Sequence, residues 1–169
     1  VMEYINRLDN FDGDAIAKMA ASEEHGLYEE ALTVYIKFGK ATTGDEQNQN
    51  HFAAMEVIVD LIKDMDRAKE FAERVNIQAV WSKLGQAQLS SNNVSESIAA
   101  YIKAGNADDY HLVIAAADRD DKHDDLVTYL KMCRKNIKET VLDTQLIYSL
   151  AKINRLSELE EVISVPDRK

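Results

Sequence analysis

Four histidines, one cysteine and a dense run of aspartates are the residues of this chain best suited to metal or acid–base chemistry. His25, His51, His111 and His123 do not stand at i, i+4 from one another, and there is no HExxH or CxxC. The paired donors that a zinc site needs are therefore not encoded. His25 and His123 fall at helix boundaries, where a capping or solvated role is expected. The run Asp118-Arg-Asp-Asp-Lys-His-Asp-Asp125 has the carboxylate density of a calcium loop. An EF-hand starting at Asp118 would need an oxygen ligand at Lys122, glycine at His123 and glutamate at Tyr129, and all three are wrong. The run reads as a solvated turn between helices. No two of the six glycines lie within four positions of each other, so no phosphate-cradling loop is present, and G-x-S-x-G is missing. Glu29/Glu30 and Glu160/Glu161 are adjacent, so on a helix they diverge instead of converging on one substrate. Asn93-Val94-Ser95 matches a glycosylation sequon, a triplet common by chance. The expectation is no catalytic, cofactor-binding or metal-ligating residue, no cofactor and no enzymatic activity.

The elements that would carry such residues are helices almost throughout. Apolar residues recur at helical spacing in Ala31, Val34, Tyr35, Phe38; Phe52, Met55, Val59, Ile62; Ala68, Phe71, Ala72, Val75; and Ile77, Val80, Trp81, Leu84. The pattern continues through Ile98, Tyr101, Ile102; Leu126, Tyr129, Leu130, Cys133; Leu142, Leu146, Leu150, Ile153; and Leu159, Val162, Ile163. Cys133, on that stripe, is expected as a small core residue. Met19, Met55, Met65 and Met132 are expected as core filler. Breaks fall at His25-Gly26, Asn76, Ser91-Asn92-Asn93, Gly105-Asn106 and Asp120-Asp121. Asn93 with Glu96, and Ser157 with Glu160, have the spacing of a capping box. Pro166 follows the last helix. Only six Gly and one Pro occur in 169 residues, too few for the turns of an all-β fold. Lys40–Asn50 (KATTGDEQNQN) is polar and reads as a mobile surface loop.

Charge bounds the partners. Twenty Lys and Arg against thirty Asp and Glu leave a net charge of −10, which repels nucleic-acid phosphates and anionic lipid. Lys131, Arg134, Lys135 and Lys138 form one local exception and are expected to complement the carboxyl-terminal end of a helix dipole. The longest apolar run, Leu112–Ala117, is far short of the roughly 20 residues of a spanning helix, so no direct membrane insertion is expected. One cysteine excludes an intrachain disulfide and fits a reducing compartment. The opening Val1-Met2-Glu3-Tyr4 has no leader character and reads as the interior of a longer protein.

The chain also resembles itself. Tyr28-Glu-Glu-Ala-Leu-Thr-Val-Tyr-Ile-Lys-Phe-Gly39 overlays Val94-Ser-Glu-Ser-Ile-Ala-Ala-Tyr-Ile-Lys-Ala-Gly105, with a weaker copy at Asp125–Lys131. The first buried positions of successive second helices, Ala31, Ala68, Ile98, Leu126 and Leu159, advance by 37, 30, 28 and 33 residues. A step near 30 is one helical hairpin, which cannot bury both faces alone and must stack on its neighbours. Small residues (Ala31, Ala68, Ala72, Ala99, Ala100) let helices approach, and Tyr35, Trp81, Tyr101 and Tyr129 fill the gaps. The predicted fold is all-α, an α-solenoid of about five stacked hairpins forming a right-handed superhelix without β-sheet. It spans residues 1–169 as a single segment, with 1–8 the tail of a preceding helix and 40–50 the polar loop.

Two families resemble parts of this pattern. Gly26-Leu-Tyr-Glu-Glu-Ala-Leu32, and Trp81-x-x-Leu84-Gly85 with Tyr101 and Ala104, look like tetratricopeptide hairpins, but the uneven steps break a fixed 34-residue period. That resemblance implies a helical-repeat adaptor binding peptides or partner proteins, whose peptide clamp would cluster cations on first helices. Only isolated ones, such as Lys18 and Lys83, are offered. Longer strings resemble the clathrin heavy chain: Val1-Met-Glu-Tyr-Ile-Asn-Arg-Leu-Asp-Asn10, Asp66-Arg-Ala-Lys-Glu-Phe-Ala-Glu-Arg-Val75, Ala79-Val-Trp-Ser-Lys-Leu-Gly-Gln-Ala-Gln-Leu89 and Asn154-Arg-Leu-Ser-Glu-Leu-Glu-Glu-Val-Ile163. The resemblance is to the leg repeats and runs from end to end, apart from an insertion at Lys40 to about Phe52. It implies a structural leg segment contributing to three-legged units and polyhedral coats in vesicle-mediated transport. It further implies self-assembly with other heavy chains, light chain bound through the longer chain, and a place on the cytosolic face of coated pits and vesicles. It assigns no binding residue to a position here.

Overall fold

The computed structural model describes residues 13–164; the expected helix tail at 1–8 and Pro166 lie outside them. Ten α-helices follow one another, with no strand among the described residues: α1 Gly13–Ala21, α2 Tyr28–Ala41, α3 Gly44–Glu56, α4 Met65–Val75, α5 Gln78–Ser90, α6 Val94–Ala104, α7 Tyr110–Arg119, α8 His123–Asn136, α9 Thr140–Lys152 and α10 Leu156–Ser164. A π-helical turn, Val57–Ile62, continues α3. This is the all-α helical-repeat fold that the periodicity predicts. The helices pair as hairpins, and the expected breaks become the turns. Gly26, Asn76, Asn92, Gly105 and Asp121 all have positive φ, the left-handed conformation that ends a helix and that Gly, Asn and Asp tolerate best. The chain resolves into two compact units, Val1–Leu84 and Gly85–Lys169.

In the first unit α1 packs on α2, α2 on α3 and the π turn, and α4 on both parts of that long helix. Ala31, Ala68 and Ala72 are fully buried, as close helix contact requires, and Met55 and Val34 fill the space beside them. Asp64 starts α4 by accepting the Arg67 backbone N–H at 3.1 Å. Asn76 ends it at φ 49° and accepts the Trp81 indole N–H at 2.9 Å. Met19 is 62% exposed and therefore is not core filler.

The loop expected over 40–50 is a correction. Only Thr42 and Thr43 break the chain, and helix α3 starts at Gly44. Asp45 and Glu46 lie in its first turn, favourable against the helix dipole. Gln47 donates from Nε2 to the Gly39 carbonyl at 2.9 Å, and Asn50 Nδ2 to Thr42 Oγ1 at 3.4 Å. Polar side chains thus hold these turns against α2 where the pattern offers no apolar stripe.

In the second unit α6 packs on α7 and on α8, α7 on α8, α8 on α9, and α9 on α10. The α6–α8 contact joins second helices of successive hairpins, which is the stacking that the repeat steps require. Val113, Leu126, Tyr129, Leu130, Leu142, Leu146 and Leu150 form a continuous buried cluster with Tyr101 and Cys133. A Cβ on Gly85 would stand 3.2 Å from the Tyr101 ring, so the missing side chain lets that ring lie on the α5 backbone. Ser97, fully buried, donates to the Gly85 carbonyl at 2.6 Å. Ala99 is exposed, whereas Ala100 is buried. Neither expected capping box forms. Asn93 makes no side-chain cap bond, and its intended partner Glu96 instead accepts from Gln88 Nε2 at 3.3 Å. Ser157 lies inside α10, which starts at Leu156.

Candidate functional site

The acidic run between α7 and α8 is the turn that the sequence predicts, but His123 is not solvated. It is 4% exposed at the start of α8, and its ring meets Tyr148 edge-on at 5.7 Å between centroids. Nδ1 lies 3.4 Å from Ser149 Oγ, and Nε2 lies 3.2 Å from Asp121 Oδ1. Asp118 Oδ1 stands 3.7 Å from Nδ1 and accepts from Gln145 Nε2 at 2.8 Å. Nδ1 and the Ser149 hydroxyl are within reach of one hydrogen bond, whose direction follows the imidazole tautomer. Serine, histidine and aspartate are thus in the order of an acyl-transfer triad. Ser149, however, has no exposed surface, so its hydroxyl cannot meet a substrate. The arrangement ties α7, α8 and α9 together instead. Sequence reasoning missed it because Ser149 follows His123 by 26 residues with no motif between them.

The other histidines stay apart from this cluster. His51 meets Phe71 edge-on, with centroids 6.0 Å apart. Its Nδ1 is buried without a hydrogen-bond partner, and a Cβ on Gly39 would come within 2.9 Å of its ring. Burial, with the Arg74 charge as a second cause, holds its pKa below the ordinary value. His25 lies in the α1–α2 turn, and His111 stacks on Tyr110 at 3.9 Å. Cys133 is fully buried, as the apolar stripe predicts, and burial pushes its thiol up to about 11. Among the described residues no group of three or more His, Cys, Asp and Glu side chains is arranged to hold a metal ion.

Several cations pair within the chain. Lys18 pairs with Asp14 at 2.6 Å and Lys83 with Asp60 at 2.8 Å. Lys131 reaches Glu158 on α10 at 2.5 Å, and Arg134 reaches Asp143 on α9 at 2.6 Å. Lys138 donates to the Arg134 carbonyl at 3.4 Å, serving the carboxyl-terminal end of α8 as the dipole argument predicts. Glu158 is held below the usual carboxylate range first by Lys131 and then by Arg155, which it also pairs with. Such exposed pairs contribute little stability. No helix among the described residues is long and apolar enough to cross a membrane.

Large apolar side chains also stand exposed on the described helices. Leu112 on α7, Val141 and Tyr148 on α9, and Leu156 and Ile163 on α10 are each more than 40% exposed. The family described as the region in clathrin and VPS matches residues 1–96 and 101–168. Over 167 residues, 99% of this chain, the sequence is 44% identical to a clathrin heavy chain of Dictyostelium discoideum and 44% identical to human clathrin heavy chain 2. It is 43% identical over the same length to clathrin heavy chain 1 of Arabidopsis thaliana. The aligned stretch is 9%, 10% and 9% of those three proteins, so this chain spans about a tenth of their length.

Proposed function

The chain belongs to the clathrin heavy-chain family as a repeat segment, and we propose that it works as part of a leg, carrying mechanical continuity within three-legged units that build polyhedral coats for vesicle-mediated transport. The observation that supports this most is the identity of 40% or more that runs through 99% of the chain in relatives from amoeba, animals and plants. In this reading the segment is structural, not enzymatic, and its partners are other heavy chains, with light chain bound by the longer polypeptide. It acts on the cytosolic face of coated pits and vesicles without entering the bilayer. The packing within the second unit supplies a mechanism: α6, α8 and α9 pack in succession, so bending there is divided among several small interfaces.

The test is a full-length heavy chain in which this stretch replaces the corresponding one. Purified three-legged units should assemble into sedimentable cages visible by electron microscopy. Intact units that fail to form cages would reject the leg role. Tight, sequence-specific capture of peptides from a library by the 169-residue chain would favour the adaptor reading instead.

A further inference from the structure

The start of α3 is held to its neighbours by few contacts. None of its residues before Ala54 is buried. Two side-chain amides fasten it to α2, Gln47 to the Gly39 carbonyl and Asn50 to Thr42 Oγ1. The His51 ring then comes down on the same glycine. A Cβ on Gly39 would stand 2.9 Å from Cε1, 3.0 Å from Nδ1 and 3.5 Å from Nε2, so the ring edge that carries both nitrogens faces the α2 backbone. The Gly39 carbonyl accepts from Gln47, and Nδ1 is buried without a hydrogen-bond partner. On its other side the ring meets Phe71 of α4 edge-on.

These surroundings suit an uncharged ring. Helix α2 has no carboxylate after Glu30, and its later titratable side chains are Tyr35, Lys37 and Lys40. On α3 the nearest charged residues are Glu46 and Glu56, five positions to either side and so turned about 140° around the helix. On α4 the face that carries Phe71 also carries Arg67 and Arg74. Arg67 pairs with Glu29, and the Arg74 guanidinium lies 5.3 Å from the Phe71 centroid. The α4 carboxylates, Asp66, Glu70 and Glu73, stand about 100° or more away from Phe71 around the helix. A proton on the ring would therefore be opposed by burial and by the Arg74 charge, with no carboxylate aimed at it. We propose that His51 is an acid-releasable clasp: protonation of the ring frees Gly44–Asn50 from α2, while buried Ala54 and Met55 keep the rest of α3 packed. The open form takes up a proton that the closed form disfavours, so falling pH favours opening. The clasp lies in the polar stretch that the hairpin repeat does not explain, and it stands independently of the leg reading.

Amide hydrogen exchange of the 169-residue chain, followed by NMR between about pH 7.5 and 5.0 and corrected for the intrinsic effect of pH, tests the clasp. The amides of Asn48, Gln49 and Asn50 should lose protection severalfold, with a ceiling of about thirtyfold set by a free imidazole of ordinary pKa about 6.5. Those of Val34–Phe38 in α2 and Ala68–Ala72 in α4 should change far less. His51→Phe keeps a ring against Gly39 but does not titrate, so the same three amides should be indifferent to pH. Arg74→Met, at an exposed position, removes part of the opposition to the proton and should reduce the response. This second variant decides the matter if the phenylalanine ring does not fit. Protection at Asn48–Asn50 that is unchanged by pH, an equal loss in His51→Phe, an undiminished response in Arg74→Met, or the same loss throughout α2 and α4 would each overturn the proposal.

Discussion

Replacing His123 with alanine separates a structural tie from a reactive site. The ring is 4% exposed, so its removal empties buried volume and strips the edge contact with Tyr148. It also takes the hydrogen-bond partner from the fully buried Ser149 hydroxyl, 3.4 Å away. An unsatisfied buried hydroxyl costs about 1–3 kcal/mol, although Ser149 can relieve part of that by turning to a carbonyl one turn back in α9. Adding the lost packing gives an expected destabilisation of about 2–4 kcal/mol. Ser149→Ala alone removes one neutral hydrogen bond and should cost about 1 kcal/mol. The double variant should then cost about 1 kcal/mol less than the sum, because the shared bond is counted twice. Urea denaturation followed by circular dichroism measures the cycle, and hydrogen exchange locates the loss at the α8 start and in α9. Strict additivity, or a His123→Ala cost below about 0.5 kcal/mol, would refute the coupling and with it the reading of this cluster as a tie.

Three further outcomes follow from the same packing. Asn48→Pro, an exposed position inside α3, should destabilise the chain by about 3 kcal/mol in a thermal melt through backbone effects alone; a neutral result would restore the loop reading. Burial holds His51 below its ordinary value of 6.5, so the folded state takes up fewer protons than the unfolded chain. Its contribution is complete above that value and is lost as pH falls through the folded pKa. The urea midpoint should therefore drop in mild acid, and the drop should shrink in His51→Phe. Cys133, buried with its thiol raised to about 11, should resist a thiol-specific reagent in buffer and react promptly in urea; rapid labelling of the native chain would contradict the packing around α8.

The helices themselves could be read from the chain because their signal is local. The stripes at Ala31–Tyr35 and Leu126–Cys133 bury the residues that their period selects, with Phe38 half-buried beyond the first, and the punctuation at Asn76 and Gly105 adopts the left-handed backbone that those residue types tolerate. Gly39 is the exception to the repeat. Its counterpart Gly105 ends α6, yet Gly39 lies inside α2 with its missing side chain filled by His51. Two equivalent glycines thus do different work, and only their neighbours decide which. The polar stretch after Lys40 misled for a related reason. Periodicity detects helices that bury an apolar face, and these turns are held by side-chain amides on α2 instead.

The apolar stripes follow from the sequence alone, since each depends on residue type and spacing over one or two helical turns; the hairpin steps follow from the order of those stripes, and the clathrin resemblance from longer matching strings. Residue order also carries the family resemblance. Tertiary structure decided where the polar groups go. It buried His123 against a serine 26 positions away, spent Lys131 and Arg134 on the two following helices, and laid the His51 ring against Gly39. Those outcomes depend on which surfaces meet after the hairpins pack, and a polar side chain carries no mark of its partner until the partner is brought beside it.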